Sequence, residues 1–324
     1  MALQSSGAIS ISEIGAELNQ GTGQTISLYQ AERGTYEAIN SASASKPNGV
    51  NPHSMSEWYS YDHSATSVTA SDYYWQGDGV NDTLRFTNHS STLFQASMTQ
   101  DFSYSGWFRI DETTNQNQFL GTFCEASPSG NNMIFIMYNA TSARLQFRYR
   151  KGGGGNFHQK FWSMYSTNNA SITGVSSAGW KSNNRGNVNS DNFVMLTFTY
   201  DASNRASSGM NVYWNGTKLP DHIQFNSRSL AAFDVRSVAI GDAVSASPNN
   251  SQVFQGGIDQ VSCYSKLLSQ SEITSLYNSG TPMTCSDAGV TSSLMAEYRL
   301  ENNTTNTSGT FPSLTNTGGV FQTY

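Results

Sequence analysis

The sequence predicts an all-β sandwich that follows a short N-terminal segment of a different kind. From Tyr73 onward, short runs of alternating apolar and polar residues recur at the even spacing of sandwich strands, and Leu84-Arg85-Phe86 is one of them. Asn215-Gly216 separates two such runs and supplies the positive φ angles of a two-residue hairpin turn. Aromatic residues make up 12% of the chain and charged residues only 12%, a mixture typical of stable all-β proteins of exposed settings.

Charge and hydropathy exclude several classes of partner. The formal net charge is −6 over 324 residues, so we expect no basic surface for nucleic acid or for an anionic membrane. No apolar run approaches the length of a membrane span. The first seven residues, MALQSSG, have neither the cationic nor the apolar region of a secretory signal, so we expect synthesis without export by that route.

The three cysteines, Cys124, Cys263 and Cys285, are too few and too scattered for a disulfide framework. We expect three free thiols, as is usual for chains made in a reducing compartment. One bridge between Cys263 and Cys285 remains the alternative.

Residues 1–70 read as short capped helices and loops. Ser10 with Glu13, and Ser54 with Glu57, have the spacing of a capping box, so each pair predicts the start of a short helix. Helices of this length are unstable alone and need a surface to pack on. The apolar residues predicted to dock on such a surface are Ile9, Ile11, Ile14, Leu28, Met55 and Trp58.

Further strands are predicted in chain order from apolar and aromatic runs between turn-rich segments. They cover residues 102–110, 119–123, 133–138, 144–149, 193–201, 210–219 and 238–241. Gly256–Tyr264 forms the closing strand, and Ser269 with Glu272 then gives the capping-box start of a short helix that ends at Asn278. A last alternating run, 294–300, precedes a polar tail.

The closing strand and helix resemble those of laminin-G-like (concanavalin A-like) jelly rolls, whose pattern reads G-x-I-D-x-V-x-x-Y-x-x-x-L-S-x-x-E-I-x-x-L-Y. The run Phe102–Ile110 resembles the family's F-S-x-S-x-W strand. The resemblance covers Tyr73 to Asn278, with an insertion between Lys151 and Asp191. It implies a jelly-roll sandwich over residues 71–280, with residues 281–324 as a C-terminal strand and tail.

The N-terminal segment carries a second resemblance. It contains three phrases in order: S-G-x-I-S-I-S-E-I at Ser6–Ile14, I-S-L at Ile26–Leu28 and P-x-S-M-S-E-W-Y at Pro52–Tyr59. This order of phrases is similar to the N-terminal segment of tailed-bacteriophage virion proteins. That resemblance implies a docking segment, a virion location, other head or tail proteins as partners, and assembly as a homo-oligomer. Three capped turns that merely decorate a domain edge are the alternative.

The resemblance to concanavalin A-like domains also implies a calcium site. In such relatives the Asp of the closing strand can join ligands near the first turn, which here would be Asp259 with Asp78, Asn81 and Asp82. A buried Asp that accepts hydrogen bonds from backbone amides is the alternative for Asp259.

Glycan contacts are predicted in the 151–191 insertion, which is polar but also holds His158, Phe161 and four aromatic residues taken as the candidate contacts, Phe157, Trp162, Tyr165 and Trp180. Such aromatic side chains can stack on sugar rings or on a neighbouring subunit, or can fix the insertion to its own domain. No H-E-x-x-H, G-x-S-x-G or paired-acid strand signature is present, so we do not expect an enzyme. The sequence thus predicts a virion structural protein that adheres to host-surface glycans. The alternatives are a secreted bacterial lectin-like adhesin, a carbohydrate-active enzyme, or a jelly roll that only cements neighbouring subunits.

Overall fold

The computed structural model describes most of the chain. The described residues are 3–21, 24–39, 43, 45, 47, 52–63, 72–111, 117–125, 132–152, 157–175, 193–207, 209–222, 224–226, 229–243 and 253–323. They fall into an N-terminal unit, Met1–Thr69, and a β unit, Ala70–Tyr324.

The N-terminal unit contains the helices α1 (Ile11–Glu17) and α2 (Leu28–Glu32) and a 3-10 helix, Met55–Trp58. Ser10 and Glu13 form the predicted capping box at the start of α1. The second predicted capping box is wrong, because Ser54 makes no side-chain cap and its hydroxyl contacts that of Ser56 instead.

The predicted docking residues pack mainly on one another. Ile9, Ile14 and Trp58 are buried in a small core within the N-terminal unit, and Ile11 and Leu28 lie half-buried against it. Met55, in contrast, is 41% exposed. The physical reason is that three short segments, each unstable alone, bury their apolar residues against each other. Ile9, Ile14 and Trp58 therefore belong to the core of the N-terminal unit and are not free to dock on another surface, which corrects the prediction for these three residues.

The β unit is built almost entirely of strands. Its strands are β1 (Tyr73–Asp78), β2 (Thr83–Phe86), β3 (Phe94–Ala96), β4 (Phe102–Ile110), β5 (Asn117–Cys124), β6 (Asn132–Asn139), β7 (Arg144–Lys151), β8 (Phe157–Ser163), β9 (Val194–Tyr200), β10 (Met210–Trp214), β11 (Thr217–Lys218), β12 (Gln224–Asn226), β13 (Phe233–Val235), β14 (Ser237–Ile240), β15 (Gln255–Tyr264), β16 (Leu294–Tyr298), β17 (Asn306–Gly309), β18 (Thr315–Thr317) and β19 (Val320–Thr323). Its helices are α3 (Thr167–Thr173), α4 (Gln270–Tyr277) and two 3-10 helices, Ala202–Ser207 and Asn278–Gly280.

Two antiparallel sheets form the predicted sandwich. Among the described residues the first sheet has the order β11-β10-β9-β4-β15-β1-β19, with β16 and β17 continuing from the second half of β15. The second sheet has the order β12-β8-β7-β6-β5-β14-β2-β18. The large apolar core includes inward-facing residues of both sheets, such as Phe108, Phe147 and Ile258. The all-β sandwich is thereby confirmed.

The closing strand and its helix lie as the sequence predicts. Strand β15 pairs with β4 along one edge. The predicted hairpin turn is also present: Asn215 and Gly216, between β10 and β11, adopt positive φ angles of 48° and 77°. Helix α4 starts at the predicted capping box of Ser269 and Glu272. Its buried Ile273 belongs to a second apolar cluster, which includes Trp107 of β4.

Residues 281–324, predicted as a separate C-terminal strand and tail, contribute strands to both sheets. Strand β16 pairs with β15, β18 pairs with β2, and β19 pairs with β1. The segment belongs to the β unit.

The three cysteines are buried free thiols, as favoured by their sparse pattern. Burial raises the pKa of Cys124 and of Cys285 to about 12. The Tyr264 hydroxyl donates a hydrogen bond to the Cys285 sulfur at 3.1 Å. Among the described helices, none has the length and apolarity needed to cross a membrane.

Candidate functional site

Strand β7 places a row of polar side chains on the outward face of the second sheet. Its inward residues, Leu145, Phe147 and Tyr149, lie in the main core. Since side chains alternate along a strand, the residues between them point to the opposite face. Those outward residues are Arg144, Gln146, Arg148 and Arg150.

Aromatic rings of the neighbouring strands flank this row. Phe135 of β6 pairs directly with Arg148, and Phe157 of β8 pairs with Arg150. Phe161 of β8 pairs with Gln146. We call this region the arginine-aromatic face and define it by Phe135, Gln146, Arg148, Arg150, Phe157 and Phe161. Phe135 and Gln146 are buried, at 6% and 4% exposure, and the other four are half-buried.

Arg148 lies at the centre of the face. Its guanidinium carbon is 4.2 Å from the ring centre of Phe157, 4.9 Å from that of Phe135 and 5.8 Å from that of Phe161. Such cation–π contacts hold a guanidinium over the ring faces. The Gln146 amide, oriented with its oxygen toward Arg148, accepts a hydrogen bond from Nε at 3.0 Å. The guanidinium is therefore held in position by three rings and one amide.

The charge of Arg148 has no carboxylate partner among the described residues. The pKa of Arg148 is lowered to about 10, mainly by burial and to a lesser extent by the positive charge of Arg150. The side chain is therefore still charged at neutral pH. Within the residues that the structure describes, no carboxylate forms an ion pair with Arg148. A half-buried cation without a counter-charge is costly, and an anion placed over it lowers that cost.

The sequence-predicted glycan residues separate into different environments. Phe157 lies on the arginine-aromatic face, half-buried. Trp162 is only 1% exposed and belongs to the main core, so its prediction as a surface contact is corrected. Tyr165, after the end of β8, is 42% exposed and outside the face, and Trp180 is outside the described residues.

Strand parity explains this separation. Residues 157–163 form strand β8 rather than a loop. Because successive side chains of a strand point to opposite faces of the sheet, Phe157 and Phe161 point away from the core and Trp162 points into it. Sequence reasoning missed Arg148 and Gln146. The signal was present in the alternation of apolar and polar residues over 144–150, which the sequence already shows.

The four residues predicted to hold calcium do not form one site. Gln255 of β15 pairs with Asp78, so Asp259 lies four residues further along the strand, roughly 13 Å away at the usual rise per residue. Asp259 is fully buried, and its Oδ1 accepts a hydrogen bond from the Gln260 amide at 2.8 Å, where β15 bulges. This contradicts the predicted grouping and supports the alternative that Asp259 satisfies a backbone amide.

The other three predicted calcium ligands lie in and beside the turn after β1. Asp78 Oδ1 accepts from the amides of Val80 and Asn81, at 2.7 and 3.4 Å, and Asp82 Oδ2 accepts from the Asp78 amide at 2.9 Å. Burial, despite that amide, raises the pKa of Asp82. The turn uses one oxygen of each carboxylate, and Asp259 lies apart from it, so the four residues do not form the single calcium site that was predicted.

Comparison with known proteins gives a family. The family model described as the concanavalin A-like lectin/glucanases superfamily (Laminin_G_3) matches residues 78–274, more than half of the chain. None of the curated proteins has a sequence that matches this chain.

Several solved structures are similar in fold. A heptameric SAP-like pentraxin from Limulus polyphemus is 9% identical, with a TM-score of 0.45 over 79% of this chain and 97% of the pentraxin. A putative carbohydrate-binding protein from Bacteroides ovatus is 12% identical, with a TM-score of 0.47 over 80% of this chain and 62% of that protein. The Ruminococcus gnavus IT-sialidase CBM40, in a structure with α2,6 sialyllactose, is 10% identical, with a TM-score of 0.40 over 58% of this chain and all of that domain (100%). At such identities the likeness concerns the fold alone.

Proposed function

Because the chain belongs to the concanavalin A-like lectin/glucanases superfamily, we propose that it is a glycan-binding protein and that the arginine-aromatic face is its binding surface. The observation that carries the proposal is the guanidinium of Arg148, held among three aromatic rings without a carboxylate partner in the described residues. The superfamily alone does not decide function, since lectins and hydrolases share the fold.

The chemistry of the face suits an acidic sugar. Half-buried Phe157 and Phe161 offer apolar ring surface against which the C–H groups of a pyranose can pack. The guanidinium of Arg148 can donate paired hydrogen bonds to a carboxylate or sulfate. Arg150, whose guanidinium carbon is 5.7 Å from the Phe157 ring centre, adds a second positive charge. A glycan with a carboxylate or sulfate group matches these features better than a neutral one.

We propose binding without catalysis at this face. The outward residues of β6, β7 and β8 include no carboxylate that could act as general acid, base or nucleophile. A carbohydrate-active enzyme remains the alternative, and release of sugar from an acidic glycan by the purified chain would support it.

For the biological setting, we propose a structural protein of a tailed-phage virion, on head or tail, that contributes to adhesion to the host surface. The support is the order of the three phrases in the N-terminal segment. A homo-oligomer on a particle would convert weak single sites into strong attachment. Mass spectrometry of purified particles tests this setting: recovery of the chain only from bacterial secretions would favour the secreted adhesin.

The experiment that tests glycan binding compares three proteins on an array of neutral, carboxylated and sulfated glycans. We expect the unaltered chain to bind acidic members, and Arg148→Met to weaken that binding about 10- to 100-fold, the usual value of a charge-assisted hydrogen bond. Phe157→Ala should also weaken it, through lost ring contact.

Two matched controls place the effect on the face. Tyr165→Ala removes an exposed aromatic ring elsewhere, and Arg299→Gln removes a positive charge that is near Glu297 in the first sheet. Both should bind like the unaltered chain. If no glycan binds, or if Tyr165→Ala weakens binding as much as Phe157→Ala, the proposed surface is wrong.

A further inference from the structure

Three side chains from separate parts of the N-terminal unit converge at one point. Glu32 is the last residue of α2, His53 precedes the 3-10 helix, and Glu57 lies within it. One ligand atom of each residue lies within 4.8 Å of the others. We call these residues the Glu-His-Glu cluster.

Two members of the cluster have buried polar atoms without a hydrogen-bond partner among the residues that the structure describes. The Glu32 side chain is fully buried; its Oε2 contacts His53 Nδ1, and its Oε1 has no hydrogen-bond partner. The His53 side chain is 10% exposed, and its Nε2 is also buried without a partner. A buried carboxylate oxygen without a donor is costly, so such an atom points to a missing ligand.

The donor atoms point to the kind of ligand. The unsatisfied atoms are a carboxylate oxygen of Glu32 and an imidazole nitrogen of His53, and the Glu57 carboxylate lies within reach of both residues. A divalent cation can take such atoms as ligands, with the imidazole in the neutral form in which histidine coordinates metals.

We propose that the Glu-His-Glu cluster is a binding site for one divalent transition-metal ion of the zinc class. Imidazole nitrogen and carboxylate oxygen are ordinary zinc ligands, and three protein ligands leave a position for water. The imidazole favours such a metal over calcium or magnesium, which prefer oxygen ligands alone.

The metal would join the separate pieces of the N-terminal unit. Through Glu32 it would bind the end of α2, and through His53 and Glu57 it would bind the start of the 3-10 helix and the helix itself. The core of this unit is small, with Ile14, Leu18 and Trp58 among its buried residues. Small domains with limited cores commonly gain stability from a structural metal. The inference is independent of the proposed glycan binding, which concerns the β unit.

The test uses the full chain, stripped of metal with a chelator and titrated with Zn²⁺ and, separately, with Ca²⁺. We expect one Zn²⁺ per chain by calorimetry and elemental analysis, a higher unfolding temperature with Zn²⁺, and no such effect of Ca²⁺. Co²⁺ in place of Zn²⁺ should give visible absorption bands of a low-coordinate site with nitrogen and oxygen ligands.

Variants separate this site from adventitious binding. Glu32→Gln keeps the side-chain shape and His53→Ala removes the nitrogen ligand; each should weaken Zn²⁺ binding by more than the roughly 10- to 100-fold that outer-shell partners contribute. His63→Ala is the matched control, because His63 is a histidine of the same unit whose Nδ1 contacts the Tyr61 hydroxyl. Failure of the unaltered chain to bind Zn²⁺ overturns the proposal, and so does equal weakening by His63→Ala or unchanged binding by Glu32→Gln.

Discussion

Gly256 lies where β15 passes so close to β4 that a side chain has no room. Its φ angle is +146°, and a Cβ atom at this position would lie 1.8 Å from the carbonyl oxygen of Arg109. The glycine at the start of the family pattern is therefore required by backbone contact as well as by backbone conformation.

We predict that Gly256→Ala destabilises the β unit by about 2–4 kcal/mol, since the strand must move away from its partner and the residue is strained. Gly289→Ala is the matched control: φ is +68° there, but nothing lies within 4 Å of the added Cβ. That change should cost only about 1–2 kcal/mol for a left-handed alanine. Urea unfolding of both variants measures the difference, and equal losses would contradict the steric account.

The residues of the arginine-aromatic face show how far single residues can be interpreted from sequence. Aromatic residues in the 151–191 region were expected to mark the site, and Phe157 does lie on the face. Trp162, the bulkier residue, lies in the core because it has the inward parity of its strand. Residue type thus indicates what a side chain can do, while strand assignment decides where it points.

Helix α4 shows what local sequence can establish at the scale of one element. Ser269 and Glu272 exchange the hydrogen bonds of a capping box, with Glu272 Oε2 accepting from the Ser269 amide at 2.9 Å. Lys266 contacts the same carboxylate. Burial acts to raise the pKa of Glu272, but the bonds from Lys266 and Ser269 outweigh it and hold the pKa below its usual value of 4.5.

We predict that Ser269→Ala costs about 1 kcal/mol at neutral pH, the usual value of a helix cap.

The capping carboxylate also makes stability depend on pH. Because the folded pKa of Glu272 is lowered, the stability that the ionised Glu272 contributes is present above pH 4.5 and is lost as the pH falls through the folded value. Glu272→Gln should therefore lose less stability than the unaltered chain on acidification below that pH. Thermal unfolding between neutral and acid pH measures both effects, and parallel curves for the two proteins would refute the second.

Elements of the β unit were predictable where the signal is local and periodic. Residues 102–110 mix aromatic and small polar residues, residues 133–138 are a continuous apolar run, and the structure contains a strand at each. Strand β8 was missed because glycine-rich sequence precedes it and made the whole region resemble a loop. In the N-terminal unit, the capped turns were visible in sequence, but their mutual packing was not, since it depends on residues far apart in the chain.

At the scale of the whole molecule, the C-terminal segment is an integral part of the β unit. Thr315 pairs with Arg85, and Asn316 Oδ1 accepts a hydrogen bond from the indole nitrogen of Trp75 at 2.9 Å. Phe311 and Leu314 are each 4% exposed and lie in the main core. Such pairings join residues more than two hundred positions apart, so no local pattern could predict them, and the segment was interpreted as a tail.

We therefore predict that a chain ending at Asn303 loses at least about 4 kcal/mol of the unfolding free energy of the β unit. It lacks β17, β18 and β19 and the buried side chains of Phe311 and Leu314, each typically contributing 2–5 kcal/mol. Trp75, fully buried in the intact chain, should become solvated and shift the tryptophan emission to longer wavelength. Asn316→Ala is the control, because it keeps the segment and removes only the side-chain hydrogen bonds of Asn316, which accepts from the Trp75 indole and donates to the Gly319 carbonyl, and it should cost about 1–3 kcal/mol. If the shortened chain is no less stable than Asn316→Ala, then the segment is an appendage and the two sheets close without it.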